Sequence, residues 1–350
     1  MAESAPNALA VPLRKQAGRF DSLLALAGFA VALAFGTIAA CRLLGVNRWP
    51  IELSYHFIPY FAAAAFAQAA VCGLRRHTLP AVLCGAVGLH FAAVALDPFD
   101  PACQTVPRFR EAGTAAAAGT EGTAGTAGRP GTAISLITYN VHFSLKPSAW
   151  TRKWLDTRPA DIIALQEVSR PLAEELRKPS ASYPYRVVLD SGGDGIAGVA
   201  LLSRVPILEH RQFRPADDAW PTILARLAYG NGRAGWIVVL HARNPITPFG
   251  SALRSVLFET LAGPVAGLDG PVVVVGDFNA TPYTPSLRTF VRAAGLTSAC
   301  RFQGTYPARA RGLGLPIDHV LVRNARITGL GTGRWFGSDH RALRAELVLP

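Results

Sequence analysis

Three long stretches without a charged side chain open the chain, at 23–41, 53–74 and 78–96, each rich in Ala, Leu, Val and Phe. Each approaches the ~20 residues a helix needs to cross a hydrocarbon core, so the pattern predicts three transmembrane helices within 21–98. Only mild polar groups such as His56 and Gln68 interrupt the second, and Trp49 and Tyr55 fall where a membrane interface is expected. The first run is long for a secretory signal and carries no convincing cleavage site. From 112 to 132 the chain is Ala, Gly and Thr with little else, a composition with nothing to bury. It predicts a flexible linker over 99–132.

Beyond the linker the period shortens. Runs at 134–139, 162–165, 199–202, 223–228, 236–240, 272–275, 319–322 and 343–349 have strand character, and 149–155, 172–176, 251–262 and 286–294 have helix character. Roughly two hundred such residues suffice for one α/β domain, over 133–350. The four valines Val272 to Val275 read as a strand buried on both faces.

Charge sets an orientation. Arg14, Lys15 and Arg19 precede the first run in a polar tail over 1–20, and Arg75 and Arg76 lie between the second and third. The positive-inside rule places both in the cytoplasm, against the opposing Arg42 and Arg48. Three crossings then leave 133–350 outside a cytoplasmic membrane. That part holds twenty-five Lys and Arg against sixteen Asp and Glu, an excess suited to a phosphate-bearing partner. Nothing in the sequence points to a protein partner. Of five cysteines, Cys41, Cys72 and Cys84 sit in apolar runs as small hydrophobes. Cys103 and Cys300 can pair in an oxidising compartment, although nothing in the sequence places them together. No Cys/His cluster suggests zinc.

Element after element ends in a group able to do chemistry. Asn140 closes the first strand, Gln166 and Glu167 the second, and His241 follows Val238-Val239-Leu240. Asp277 and Asn279 follow the valine run, Asp318 opens Asp318-His319-Val320, and Ser338-Asp339-His340 comes near the end. Any one has a dull explanation: Asn140 as a turn residue, His241 as a core histidine, Asp277 and Asn279 as an Asx turn. His319 should face away from Asp318. Six such endings together point to one site. Oxygen ligands without thiolates select a hard cation such as Mg²⁺ (or Mn²⁺), with Asn140, Glu167 and Asp339 as its candidate ligands. The chemistry suggested is metal-assisted attack on a phosphate ester. In it Asp277 orients or deprotonates water and Asn279 donates to the phosphate. His340, its tautomer fixed by Asp318, does acid–base work, and His241 serves as a second donor or leaving-group acid.

The order Asn140, Gln166-Glu167, His241, Gly276-Asp277-Phe278-Asn279, Ile317-Asp318-His319 and Ser338-Asp339-His340 resembles the endonuclease/exonuclease/phosphatase superfamily. The resemblance covers about 134–349. It implies an α/β four-layer sandwich of two packed mixed β-sheets with helices on the outer faces, here preceded by three transmembrane helices. It also implies Mg²⁺- or Mn²⁺-dependent hydrolysis of phosphodiesters or phosphomonoesters. Carried over by position, Asn140, Glu167 and Asp339 match metal-site residues. Asp277, Asn279, Asp318, His340 and His241 match catalytic ones. Many members carry a further Tyr, His or Glu before the His241 strand; this interval offers Tyr183, Tyr185, Asp190 and Asp194 without a recognisable pattern. Substrates open on this reading are a nucleic acid or a lipid head group of the sphingomyelinase type. The alternative from another class is a catalytically silent, membrane-tethered binding module.

Overall fold

The computed structural model describes residues 10–96, 103–107, 131–142, 160–190, 195, 197–230, 232–300, 303–333 and 337–350. The chain divides into two compact units, Met1–Pro98 and Phe99–Pro350.

The first unit is helical. Helix α1 spans Ala10–Leu43, so part of the expected polar tail is already helix. The second apolar run is broken into α2 (Ile51–Tyr55) and α3 (Ile58–Leu74), and α4 spans Thr78–Leu96. Among the described residues two segments, Phe20–Leu43 and Thr78–Leu96, are long and apolar enough to cross a membrane, not the three expected. The reason lies at the break, where Pro59 occupies the first turn of α3 and has no amide hydrogen to extend the helix backwards. At 1.5 Å per residue, the remaining seventeen residues reach about 26 Å. Small residues let these helices approach closely: a Cβ on Gly28 would stand 2.8 Å from the Cys72 sulfur and 2.9 Å from Pro80.

The second unit is built on two sheets. One has strand order β10-β11-β1-β2-β4-β3, from Arg326–Thr332, Leu343–Leu349, Thr132–Asn140, Ile162–Val168, Gly198–Ser203 and Tyr185–Leu189. The other runs β5-β6-β7-β8-β9, from Ile207–Phe213, Thr222–Gly230, Arg233–His241, Val272–Asp277 and Asp318–Arg323. Both are mixed, with β1 parallel to β2 and β7 parallel to β8. Period-two alternation explains the layering. Val273 and Val275 face the other sheet, packing with Leu136, Ile162 and Leu201. Val272 and Val274 face outward onto Leu257, Leu261, Leu287 and Phe290 of α6 (Pro248–Ala266) and α7 (Pro285–Ala293). Ile163 and Leu165 likewise face Leu172 and Leu176 of α5 (Arg170–Arg177). The four-layer arrangement is therefore present.

Part of the expected linker is tied down. Cys103 and Cys300 form a disulfide with Cα atoms 5.0 Å apart. Gln104 exchanges backbone hydrogen bonds with Ser298 and Cys300, its side chain accepts from the Ile327 amide, and Val106 joins the core between the sheets. These polar and apolar anchors hold 103–107 to the domain, contrary to the flexibility expected of 99–132. The rest of the Ala/Gly/Thr tract before Gly131 and the helix expected at 149–155 lie outside the described residues.

Candidate active site

The sheet register gathers the strand ends. Asn140 stands opposite Gln166, His241 opposite Asp277, and Asp277 opposite Asp318. Two parallel pairs and one antiparallel neighbour thus finish at the same edge of the sandwich, where the strands of layered α/β proteins present their chemistry.

Local backbone irregularities aim the side chains. Glu167 has φ +56° at a β-bulge between Gln166 and Val168, which takes its carboxylate out of the strand's alternation. Gly276 has φ +140°, and a Cβ there would stand 1.9 Å from the Leu240 carbonyl oxygen, so only glycine lets β8 run this close to β7. Beyond Asp277 the chain leaves the strand. Asn279 turns into the left-handed region at φ +47°, its amide donating to Asp277 Oδ1 at 2.8 Å. Asp277 and Asn279 are thus neighbours through an Asx turn, not through strand alternation. The dull explanation and the site coincide.

The resulting network centres on Asp277, which is buried. Its Oδ2 accepts from Asn140 Nδ2 at 3.0 Å and Asn279 Nδ2 at 3.2 Å. Asn140 Nδ2 also donates to Glu167 Oε1 at 2.9 Å, so one amide bridges the two carboxylates. His241 Nε2 lies 3.6 Å from Asp277 Oδ2 and 3.9 Å from Glu167 Oε1. His340 Nδ1 meets Asp318 Oδ2 at 2.7 Å, leaving Nε2 3.7 Å from Asp277 Oδ2. Ser338, within the SDH sequence, organises the approach: its hydroxyl donates to the Asn140 carbonyl at 2.7 Å and accepts from the His340 amide at 3.0 Å.

Burial and charge set the protonation states. Burial pushes the Asp277 carboxyl up to about 7, Asp318 adding to it and His340 opposing. For His340, burial disfavours the charged ring, but Asp318, Asp277 and Asp339 outweigh it and raise the imidazole to about 10. His241 goes the other way, held well below the ordinary value by burial and by the positive charges of His340 and Arg243. At neutral pH the site therefore has one imidazolium and one neutral imidazole. The Tyr306 ring lies 5.0 Å from His340, its hydroxyl raised by burial and by Asp339, Asp277 and Glu167.

Seven of the eight residues singled out from the sequence, Asn140, Glu167, His241, Asp277, Asn279, Asp318 and His340, meet here. Asp339 is at the exposed rim, 3.4 Å from the Ser338 hydroxyl, and acts on His340 and Tyr306 through its charge. His319 faces away as expected, its Nε2 2.8 Å from the Ala280 carbonyl. Asp277, Asp318 and His340 also form a group tight enough to hold a metal ion. The Nδ1–Asp318 contact argues for a hydrogen-bonded pair there, since a ring nitrogen that carries a proton cannot ligate a cation.

Among the described residues, none of the earlier candidates partners His241. Tyr183 donates to the Ala160 carbonyl at 3.0 Å, Asp190 pairs with Arg177 at 3.2 Å, and Tyr185 is exposed on β3. Asp194 lies outside the described residues. The neighbour is Trp220, whose ring is 4.1 Å from the imidazole, with the Arg243 guanidinium 4.2 Å from the indole. No sequence motif marks Trp220; it sits in a turn before β6 and reaches the site only through tertiary packing.

Known proteins bear out the architecture. A solved endonuclease/exonuclease/phosphatase from Beutenbergia cavernae DSM 12333 superposes with a TM-score of 0.51 at 16% identity, covering 62% of this chain and 72% of that one. Another from Bacteroides vulgatus gives 0.50 at 17% identity, covering 63% of this chain and 100% of that one. At such identities the likeness speaks to fold alone. No curated protein matches the sequence. The model of the Endonuclease/Exonuclease/phosphatase family matches residues 137–340, from the first strand to the last histidine of the site, and the chain belongs to that family.

Proposed function

We propose that this protein is a membrane-anchored, divalent-metal-dependent phosphoesterase that hydrolyses phosphodiester bonds, nuclease-like in its substrate. The observation that carries the reading is the single network through Asn140 and Asp277, which joins Glu167, His241 and His340. A divalent cation suits the donor set. Glu167, Asp277, Asp318 and Asp339 bring four carboxyl groups to a site with one imidazolium, an imbalance that repels a phosphate unless a cation offsets it. Glu167 and Asn140 would hold it, with Asp339 at the rim reaching it directly or through water. Its contribution is Lewis-acid polarisation of the phosphoryl group.

The chain's own groups do the rest. Asp277, its pKa near neutral, takes a proton from the attacking water. His340, held by Asp318 as an imidazolium, presents Nε2–H to the phosphoryl oxygens and protonates the leaving oxygen. His241 is neutral, which suits a hydrogen-bond donor to phosphate and not a leaving-group acid. Asn279, locked between the Ala242 carbonyl and Asp277, orients the carboxylate and can turn its amide to the phosphate.

The nuclease-like reading rests on the basic excess of 133–350. A lipid head group is favoured by a different feature: Ile246, on the loop that follows His241, and Phe249, in the first turn of α6, are both exposed. An extracytoplasmic site on a cytoplasmic membrane rests on the Cys103–Cys300 disulfide, a bond suited to an oxidising compartment, and needs the shorter α3 to cross together with the two longer spans, since two crossings alone would return the domain to the side of Arg14, Lys15 and Arg19. The test is side-by-side hydrolysis of DNA, RNA, phospholipid and sphingomyelin by the detergent-solubilised chain, with Mg²⁺, Mn²⁺ or chelator. Asp277→Ala and His340→Ala serve as controls. Metal-dependent cleavage lost in both variants is expected; equal inertness of wild type and variants on every substrate overturns the proposal in favour of a binding module.

A further inference from the structure

His241 is buried, and among the described residues its Nδ1 has no hydrogen-bond partner. A histidine that must present one ring nitrogen to a reacting group is ordinarily aimed through the other, by a carboxylate or a carbonyl. Here that means is missing. The backbone of His241 is fixed by the ladder to Asp277 and by the Ala242 amide donating to the Asp277 carbonyl at 2.9 Å. The ladder does not fix rotation of the ring about its own bond to Cβ.

The indole of Trp220 does. Its ring lies 4.1 Å from the imidazole with the planes only 31° apart, a tilted face contact. Rotation of the imidazole would drive an edge into the indole. Trp220 is itself held by Arg243, two residues beyond the end of β7. The guanidinium sits 4.2 Å from the indole centroid and donates from Nη2 to the Asp218 carbonyl at 3.0 Å, tying the turn that carries Trp220 back to β7. We infer that Trp220, steadied by Arg243, is the positioning residue of this site: it orients His241 Nε2 toward Glu167 and Asp277 by ring stacking, where a hydrogen bond to Nδ1 would otherwise serve. The role in turnover rests on the phosphoesterase reading above; the orientation of the ring does not.

The experiment therefore has two arms, both on the full chain in detergent. In the first, ring-nitrogen resonances of ¹⁵N-histidine-labelled protein report the state of His241, assigned by its loss in His241→Gln. Wild type and Trp220→Phe, which keeps a stacking face, should each give one sharp pair of resonances. Trp220→Leu, which fills much of the volume without a face, should broaden or shift that pair while the other assigned histidines stay in place. In the second, hydrolysis of bis(p-nitrophenyl) phosphate with Mg²⁺ should show kcat reduced tenfold or more in Trp220→Leu with KM within about threefold, and most of kcat restored in Trp220→Phe. If folded Trp220→Leu keeps the wild-type His241 resonances, the positioning role is wrong. A wild type inert toward the phosphodiester, with the resonance pattern as expected, leaves the stack standing and counts against the phosphoesterase reading alone.

Discussion

Replacing Asp318 by Asn tests the electrostatics of the site most directly. Asp318 Oδ2 lies 2.7 Å from His340 Nδ1, and its charge is the largest of the influences that raise the imidazole. The rise, from 6.5 to about 10, is worth on the order of 4–5 kcal/mol at ~1.4 kcal/mol per unit. His340 is 4% exposed, so solvent screening removes little of it. A group whose pKa is raised on folding adds stability in full below its unfolded value, near 6.5, and loses it as pH climbs through about 10. In Asp318→Asn the amide oxygen still accepts from Nδ1 but the largest raising charge is gone, leaving Asp277 and Asp339 alone to oppose burial, and the ring falls back toward its ordinary value. Histidine-labelled NMR of the full chain, titrated from pH 5 to 10.5, should show His340 charged through neutrality in wild type and titrating at or below 7 in the variant. Thermal unfolding should show a loss of roughly 2–4 kcal/mol at pH 6 that fades above pH 10. A wild-type His340 that titrates near 6.5 would refute the reasoning, since the surrounding carboxylates would then not govern it.

Gly276→Ala should destabilise the fold by more than about 3 kcal/mol, because the new Cβ meets the Leu240 carbonyl at 1.9 Å and the backbone is left-handed; urea unfolding measures it. Phe258→Ala should cost about 3–5 kcal/mol by opening a cavity under Phe278 and Phe290, read as a lower midpoint at unchanged denaturant slope. Reduction, or Cys103→Ser, should lower stability by about 2–5 kcal/mol and increase protease cleavage near 103–107; an unchanged midpoint would mean that Gln104 and Val106 hold the segment alone. Glu167→Gln should weaken Mg²⁺ binding at least tenfold by calorimetry while leaving thermal stability within about 1 kcal/mol, and equal affinity in both proteins would remove Glu167 from the metal site.

Much of this protein is written in local pattern. The valine run, the apolar ends of β1, β2 and β7 and the amphipathic α5 and α7 were legible because burial on one or both faces leaves a periodic trace. The site residues were legible for a related reason, being polar groups placed where apolar strands stop. What stayed hidden depends on neighbours. Strands β3, β5 and β10 gave no clear signal: β5 is largely exposed at an edge and β10 carries two glycines, so pairing partners, not their own sequence, make them strands. The bulge that turns Glu167 into the site, the left-handed turn at Asn279 and the break that shortens α3 are decided by backbone geometry that no hydrophobic period encodes. The Cys103–Cys300 bond and the stacking of Trp220 on His241 join residues 197 and 21 positions apart, and sequence separation carries no information about such contacts. The polar groups of the site could be read from the chain, because they stand where buried apolar strands stop; their mutual arrangement, and the entry of Trp220 among them, came from packing, because two sheets had to stack before those strand ends shared one edge.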